Sequence, residues 1–200
     1  MKYEISWDLI VRYTPALLTG ALLTIELAGL AILIGLIIGM AGVLVRLGPV
    51  APFRWATQAY VEIVRNTPIL IQLYFIFHVL PRVGVRFGSF AAGLIGLSLY
   101  CGAYVVEIMR AGIEAVDRGQ IEAARSSGLD EYSLFRHVVL PQGIRIALPA
   151  LGGQFISMLK ISSLASVIGA VELTYVVNDV VALTYRSFEL YAMAELLYLG

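Results

Sequence analysis

The longest apolar run in the sequence is the feature that most constrains the fold. It covers residues 17–44 and contains one charged residue, Glu26. A helix that crosses a bilayer needs about 20 consecutive, mostly apolar residues, and this run is long enough. Only 14% of the 200 residues are charged, whereas a soluble domain has about 25%. The sequence therefore predicts an integral membrane protein.

Five apolar segments predict an all-α protein with about five transmembrane helices. The fourth segment is expected to be broken at Pro149, at Gly152-Gly153 and at Lys160. The fifth contains about a dozen residues, too few to cross the hydrocarbon core, so we expect this span to be incomplete. The first is too long for a signal-peptide core and is expected to be an uncleaved span. The segments are residues 17–44, 59–80, 90–109, 144–171 and 188–200.

Positively charged residues are distributed unequally between the two sets of connections. Because Lys and Arg are enriched in cytoplasmic loops, the side with more of them is predicted to face the cytoplasm. This places the long connection after the third segment in the cytoplasm and the N-terminus outside. The predicted cytoplasmic side carries Arg46, Arg54, Arg65, Arg110, Arg118, Arg125, Arg136 and Arg145, and the other side carries Lys2, Arg12, Arg82, Arg86 and Arg186.

The composition argues against several classes of function. The formal net charge is zero, so there is no electrostatic footprint for nucleic acid. Cys101 is the single cysteine, and His78 and His137 are far apart, so neither a disulfide nor a metal site is expected. A P-loop contains Gly-Lys, but neither Lys2 nor Lys160 follows a glycine. We find no catalytic constellation and predict that the chain is not an enzyme.

A compact polar stretch, residues 110–145, separates the third and fourth apolar segments. Residues 120–127 contain good helix formers, and Gly128 follows, where a left-handed residue can end a helix. Asp130 can cap the next helical turn, and Pro141 closes the unit. The pattern predicts two short helices at an angle around Gly128. On composition alone, an ordinary amphipathic cytoplasmic loop is the alternative.

The spacing within this stretch resembles the EAA motif of ABC importer permeases. That motif reads Glu-Ala-Ala, three residues, Gly, nine residues, Ile-x-Leu-Pro, and this chain has Val138 in place of the isoleucine. The resemblance implies that the loop docks the ATPase subunit. The two alanines are small enough to approach a groove on that partner closely. The residues implied in coupling to the ATPase are Gln120, Glu122, Ala123, Ala124, Gly128, Leu140 and Pro141.

Three further elements resemble the polar amino-acid uptake branch of that family. Residues 62–68 look like its E-x-x-R-G-T-P element, with Asn66 in place of glycine. Residues 104–110 resemble A-Y-x-x-E-x-x-R, and residues 159–164 resemble L-K-x-T/S-S-L, with Ile161 where a polar residue is common. The resemblance covers residues 14–200 and implies a type I ABC importer permease fold, with residues 1–13 as an extracytoplasmic or interfacial segment.

The resemblance implies the transmembrane subunit of an ATP-driven importer. Such a subunit moves polar amino acids across the bacterial cytoplasmic (inner) membrane by alternating access, and its C-terminus is cytoplasmic. The implied partners are a second permease subunit, identical or not, ABC ATPase subunits that bind ATP and Mg, and an extracytoplasmic substrate-binding protein. No cofactor is expected on this chain. Two alternatives stay open: an importer for another small solute, such as an opine or amino-acid derivative, and a channel or regulatory membrane protein.

Six polar residues within the apolar segments or directly after one of them are candidates for the substrate path. A charged group at the membrane centre costs at least about 2.5–3.5 kcal/mol on insertion scales, so each is a functional hypothesis. Glu26 either pairs with a neighbouring helix, lines a wet cavity, or contacts the amino or guanidinium group of a substrate. Lys160 either extends to the interface or pairs with Glu26 or Glu172. The six are Glu26, Gln72, Lys160, Ser162, Ser163 and Glu172.

Two pairs of charged residues have the spacing of intrahelical ion pairs. Glu107 precedes Arg110 by three residues, and Glu62 precedes Arg65 by three. Residues three apart lie on one face of a helix. We predict an ion pair in each case.

The first apolar segment also contains a small-xxx-small pattern at Gly35 and Gly39. Small residues at this spacing let two helices approach closely. The pattern predicts close packing, either within one subunit or against a second permease subunit.

Overall fold

The computed structural model describes residues 5–199, so Lys2 and Gly200 lie outside the described residues. These residues contain no β-strand, which confirms the prediction of an all-α protein. A π turn (Phe75–Val79) and a 3-10 turn (Leu80–Val83) continue α3, a second π turn (Phe135–Val139) joins α6 to α7, and a 3-10 helix (Ser162–Ile168) continues α7. The α-helices are α1 (Trp7–Leu47), α2 (Ala51–Asn66), α3 (Ile69–Tyr74), α4 (Ser89–Glu114), α5 (Arg118–Ser126), α6 (Glu131–Leu134), α7 (Leu140–Ile161), α8 (Leu173–Thr184) and α9 (Ser187–Leu199).

Three helical stretches are long and apolar enough to cross a membrane, judged by length and composition. They are Trp7–Leu47, Ser89–Glu114 and Glu131–Ile168. If α2 and the continued α3 are counted as one span, they make a fourth, although the two are bent by 107°. The described part of the chain therefore supplies three or four candidate spans where the sequence predicts about five. The chain ends in two shorter helices, α8 and α9.

The second predicted segment, residues 59–80, is not one helix, because Pro68 divides it. Thr67 adopts an extended backbone (φ −111°, ψ 132°). The residue before a proline is forced away from helical backbone because the proline ring clashes with it. The carbonyl of Pro68 then accepts the N–H groups of Ile71 and Gln72, at 3.0 and 3.3 Å, and starts α3. The predicted segment is therefore divided at Pro68 into two helices, which together still pass as one broken span.

The fourth predicted segment is helical through most of the residues expected to break it. α7 continues past Pro149 and the Gly152-Gly153 pair. Such residues are tolerated in membrane helices because neighbouring groups satisfy the backbone groups that they release. The regular α-helix ends after Ile161, next to Lys160, and the following 3-10 helix ends at Gly169, whose backbone is left-handed (φ 79°). The expected breaks at Pro149 and Gly152-Gly153 are therefore wrong, and next to Lys160 the helix changes from α to 3-10 geometry without interruption.

The chain divides into two compact units, each described here by itself. The first comprises residues up to 31, residues 68–97, and those from 158 onward. Apolar side chains of α1, α8 and α9 form its buried cluster, which explains why the short α8 is held in place although the sequence does not predict it as a separate helix. The buried members are Leu17, Leu173, Val177, Val180, Leu190 and Ala194.

The second unit comprises residues 32–67 and 98–157. In it, the C-terminal part of α1 packs closely on α4. A Cβ atom added at Gly35 would lie 2.5 Å from the Cβ of Cys101, and one at Gly39 would overlap a valine of α4. Only glycine permits this approach, as in other small-xxx-small helix contacts. The pattern therefore serves packing within one subunit, which was the first of the two predicted alternatives.

Candidate functional site

The predicted coupling loop folds as two short helices joined at Gly128. α5 begins after Asp117, whose Oδ1 accepts a hydrogen bond from the Gly119 N–H at 2.8 Å and so caps the helix. Gly128 has left-handed backbone (φ 81°), a conformation that costs a residue with a Cβ atom about 1–2 kcal/mol. The N–H of Leu129 donates to the carbonyl of Ala124 at 3.3 Å and closes the turn before α6. The predicted helix–turn–helix is confirmed.

One face of α5 is exposed, and the other packs on a small core within the loop. Gln120, Glu122 and Ala123 are exposed, whereas Ala124 is only 7% exposed. Ala123 is therefore the one alanine of the pair that a partner can reach, while Ala124 holds the loop together. The buried members of this loop core are Val116, Ala124, Leu134 and Val139.

An ion pair that the sequence did not predict joins the two short helices. Arg125 donates from Nε to Glu131 Oε1 at 3.0 Å and from Nη2 to Oε2 at 3.3 Å. The side chains are 57% and 76% exposed, so the pair contributes at most about 1 kcal/mol. The sequence did contain a signal for this pair, because Arg125 and Glu131 carry opposite charges on the two sides of the Gly128 turn. The pair braces the turn on its solvent side.

Leu140 and Pro141 are the first two residues of α7, where the sequence predicts the next helix to begin. They do not separate it from the loop, because Glu131–Ile168 is one continuous helical stretch. A proline has no N–H and interrupts the ladder of helical hydrogen bonds. The wider π turn ends at Val139, two residues before Pro141, and the helix continues through the proline. The expectation that Pro141 closes the loop is therefore wrong, and α6 leads into the following span without a joint.

The two helices that carry the loop cross at a pair of glycines. A Cβ atom at Gly112, near the end of α4, would lie 2.6 Å from the carbonyl oxygen of Gly143 in α7. An approach this close leaves no room for a side chain at Gly112. The two helices that flank the loop, the end of α4 and the start of α7, are therefore in direct contact, and we call them the stems of the loop.

Replacing Gly112 with alanine is expected to destabilise the protein by about 1–3 kcal/mol, the usual cost of overpacking a tight contact. Thermal unfolding of the detergent-solubilised protein measures the effect. Gly152→Ala is the matched control, because a Cβ at Gly152 meets nothing within 4 Å. Equal unfolding temperatures for the two variants would contradict the close crossing.

In the second unit, several charged side chains gather around Glu107. Arg110, from the same helix, donates to both carboxylate oxygens, at 2.5 and 3.2 Å. Arg46 of α1 lies 3.3 Å from one oxygen, and Arg65 of α2 lies 3.7 Å from the other. The predicted Glu107–Arg110 ion pair is confirmed, and two arginines from other helices share the same carboxylate.

The predicted Glu62–Arg65 ion pair is wrong. Arg65 reaches Glu107 instead and lies over the Tyr104 ring, with its guanidinium carbon 5.3 Å from the ring centre. Glu62 accepts a hydrogen bond from Gln58 at 2.8 Å. A polar cavity of about 310 Å³ adjoins these groups, lined by Arg46, Gln58, Val61, Glu62, Arg65, Asn66, Tyr104 and Glu107.

In the first unit, Glu172 is a fully buried structural group (0% exposed). One carboxylate oxygen accepts the Tyr175 N–H at 2.8 Å and caps α8. The other accepts the hydroxyls of Thr24 and Tyr198, at 3.3 and 3.0 Å. Because these donors occupy the carboxylate, it forms no ion pair with Lys160 in the described part of the chain, and that predicted pairing is wrong. Glu172 ties α1 to α8 and α9.

The other candidates for the substrate path are spread over the first unit. Glu26 and Lys160 are both exposed, and within residues 5–199 they form no ion pair with each other, so this predicted pairing is also wrong. The hydroxyls of Ser162 and Ser163 donate to carbonyls three residues earlier, each at 2.7 Å, and stabilise the end of α7. Gln72 is half-buried in α3. A role of these residues in a substrate path stays a prediction.

Comparison with known proteins assigns the chain to a class. The family model described as "Binding-protein-dependent transport system inner membrane component" matches residues 31–182. The chain belongs to this family. It is a permease subunit of an ABC transporter, and it is not itself the ATPase.

Individual relatives agree with this assignment. The probable glutamine ABC transporter permease protein GlnM of Bacillus subtilis (strain 168) is 38% identical over 163 residues, which cover 82% of this chain and 76% of GlnM. The L-cystine transport system permease protein TcyB of the same organism is 39% identical over 170 residues, covering 84% and 73%.

A solved structure confirms the fold. A chain of the crystal structure of an amino acid ABC transporter with histidines matches with a TM-score of 0.94 and 40% identity, over 98% of this chain and 92% of that chain. The type I permease fold that the sequence resemblance implied is confirmed.

Proposed function

We propose that this chain is the transmembrane subunit of an ATP-driven importer of polar amino acids, which works by alternating access in the bacterial cytoplasmic membrane. The observation that carries the proposal is the coupling loop, which presents Gln120, Glu122 and Ala123 on the exposed face of a helix whose other face is locked by its own core. The glutamine and cystine permeases to which the chain is similar support polar amino acids as the substrate class.

The loop is built to pass a force from a docked ATPase to the membrane helices. The Gly128 turn, the Arg125–Glu131 ion pair and the small loop core hold α5 at one angle. The crossing of Gly112 and Gly143 holds its two stems together. When the partner ATPase subunits bind ATP and Mg, they draw the loops of two permease subunits together and open the path outward, and hydrolysis resets it.

The remaining partners and the orientation follow from the same proposal. A second permease subunit, identical or different, completes the path, and an extracytoplasmic binding protein delivers the substrate. The excess of arginine on the loop side favours a cytoplasmic loop, an outside N-terminus and a cytoplasmic C-terminus. The substrate path would run along the first unit, where the six polar candidates lie.

Affinity purification of the tagged chain from native membranes, followed by mass spectrometry, tests the proposal. We expect a stoichiometric P-loop ATPase with the wild-type chain and its loss in Glu122→Lys, which reverses a charge on the exposed face of α5. Glu195→Lys, at an exposed position of α9, is the control and should retain the ATPase. A stable wild-type preparation without any ATPase would favour a channel or regulatory protein instead. Uptake of labelled glutamine and of an opine then distinguishes the substrate classes.

A further inference from the structure

Glu107, in α4, joins the C-terminal ends of α1 and α2 to that helix in the second unit. Arg46 lies in the last turn of α1, and Arg65 lies in the last turn of α2. Both contact the Glu107 carboxylate, which also holds Arg110 through two hydrogen bonds. The Glu107 side chain is only 23% exposed, so its ion pairs are screened by water and salt less than pairs on the surface.

The same cluster continues along α4 toward the coupling loop. Arg110 also bonds Glu114, the last residue of α4. Three residues separate Glu114 from α5, and the N–H groups of the first two, Ala115 and Val116, still donate to the preceding helical turn. Val116 in turn belongs to the core of the loop. Bonded structure therefore runs from Glu107 to α5.

The charges of the cluster are not balanced. Three arginines share two carboxylates, those of Glu107 and Glu114. If Glu107 were neutral, three guanidinium groups would face one another around a single remaining carboxylate. Like charges close together in a partly buried site repel strongly. Loss of the Glu107 charge would therefore push the ends of α1 and α2 away from α4, in addition to removing three ion pairs.

We infer that Glu107 is a positioning residue that couples the C-terminal ends of α1 and α2 to movement of the coupling loop. When an ATPase displaces α5, α4 moves with it, and the Glu107 carboxylate carries α1 and α2 along. This inference rests on the proposed function, because it needs an ATPase docked on α5. A single side-chain change at Glu107 removes these ion pairs and leaves the loop itself unaltered.

Glu107→Gln in the reconstituted transporter tests the inference. The full complex, with the ATPase and binding protein that accompany this chain, is placed in proteoliposomes, and uptake of labelled glutamine and hydrolysis of ATP are measured together. We expect the number of substrates transported per ATP to fall about five- to tenfold, in the range of couplings that networks of this kind carry. ATP hydrolysis and the amount of bound ATPase should be retained, because α5 is unchanged.

The control is Glu62→Gln, which removes the same charge from the wall of the same cavity. Glu62 accepts from Gln58, and no arginine pairs with it among the described residues, so the transport-to-ATP ratio should stay at the wild-type value. Arg46→Gln provides a second test should Glu107→Gln not assemble, because it removes the link to α1 and leaves the Glu107–Arg110 pair. Arg46→Lys keeps the charge and should recover part of the ratio.

The outcomes separate the inference from the proposed function. A wild-type chain that has no ATPase partner would overturn both. If the wild-type complex couples transport to ATP and both Glu107→Gln and Arg46→Gln keep its ratio, the inference alone is overturned. A ratio that falls in these variants and not in Glu62→Gln supports it.

Discussion

Replacing Gly128 with valine is expected to reduce transport at least about tenfold while the subunit still inserts into the membrane. The backbone at Gly128 is left-handed (φ 81°), and a residue with a Cβ atom loses about 1–2 kcal/mol there, with a β-branched residue affected most. A Cβ at this position meets nothing within 4 Å, so the effect comes from the backbone and not from a clash. Relief of this strain changes the angle between α5 and α6. Uptake of labelled glutamine by proteoliposomes, together with the amount of subunit in the membrane, measures the effect.

Two variants complete the test of Gly128. Gly128→Asn should reduce transport less than Gly128→Val, because asparagine adopts left-handed backbone more readily than most other residues with a side chain. Gly152→Val adds the same side chain at an exposed helical position where a Cβ also meets nothing, and should transport nearly as the wild type does. If all three variants transported equally, the angle of the turn would have no role in coupling.

Glu172→Ala is expected to lower the free energy of unfolding by about 2–4 kcal/mol. The variant removes the cap of α8, a loss that typically costs 0.5–2 kcal/mol. It also removes the carboxylate that accepts from Thr24 and Tyr198, a loss of about 1–3 kcal/mol. The loss is at the lower end of this range, because Thr24 can still donate to the Gly20 carbonyl at 3.1 Å and Tyr198 can bond the Thr174 hydroxyl at 2.9 Å. Thermal unfolding of the detergent-solubilised protein measures the sum. Glu172→Gln should lower the free energy of unfolding by less, because the amide oxygen can still accept a hydrogen bond from the Tyr175 N–H.

Glu195→Ala is the control for this second prediction, since Glu195 is exposed on α9. Its unfolding temperature should stay close to that of the wild type. An unchanged unfolding temperature for Glu172→Ala would mean that the buried carboxylate does not hold α1, α8 and α9 together.

The parts of the fold that local chemistry determines were predictable from the sequence. The apolar run of α1 and the glycine turn at Gly128 are signals contained within a few residues, and both appear in the structure where they were expected. The extent of α7 was not predictable in the same way. Pro149 and the glycine pair are helix breakers on average, but a membrane helix packed among others retains its hydrogen bonds around them.

The contacts between distant parts of the chain could not be predicted from one sequence. Glu172 bonds Thr24, 148 positions away, and no spacing rule connects two such residues. For Arg65, the rule for neighbours on a helix favoured Glu62, but the packing of α2 against α4 placed Arg65 beside Glu107 and the Tyr104 ring. The local sequence pattern predicted that Glu172 and Arg65 are paired, but their actual partners are determined by the tertiary structure.

The length of α1 has a consequence for the membrane around the protein. Its 41 residues measure about 60 Å along the helix axis, twice the roughly 30 Å thickness of the hydrocarbon layer. Even its apolar part, residues 17–44, is about 42 Å long. Such a helix must tilt, extend beyond the hydrocarbon, or thicken the bilayer beside it, and each of these costs free energy that depends on lipid chain length. The thickness of the bilayer therefore influences the tilt of α1, and a change in the lipid composition of the cell is expected to change that tilt.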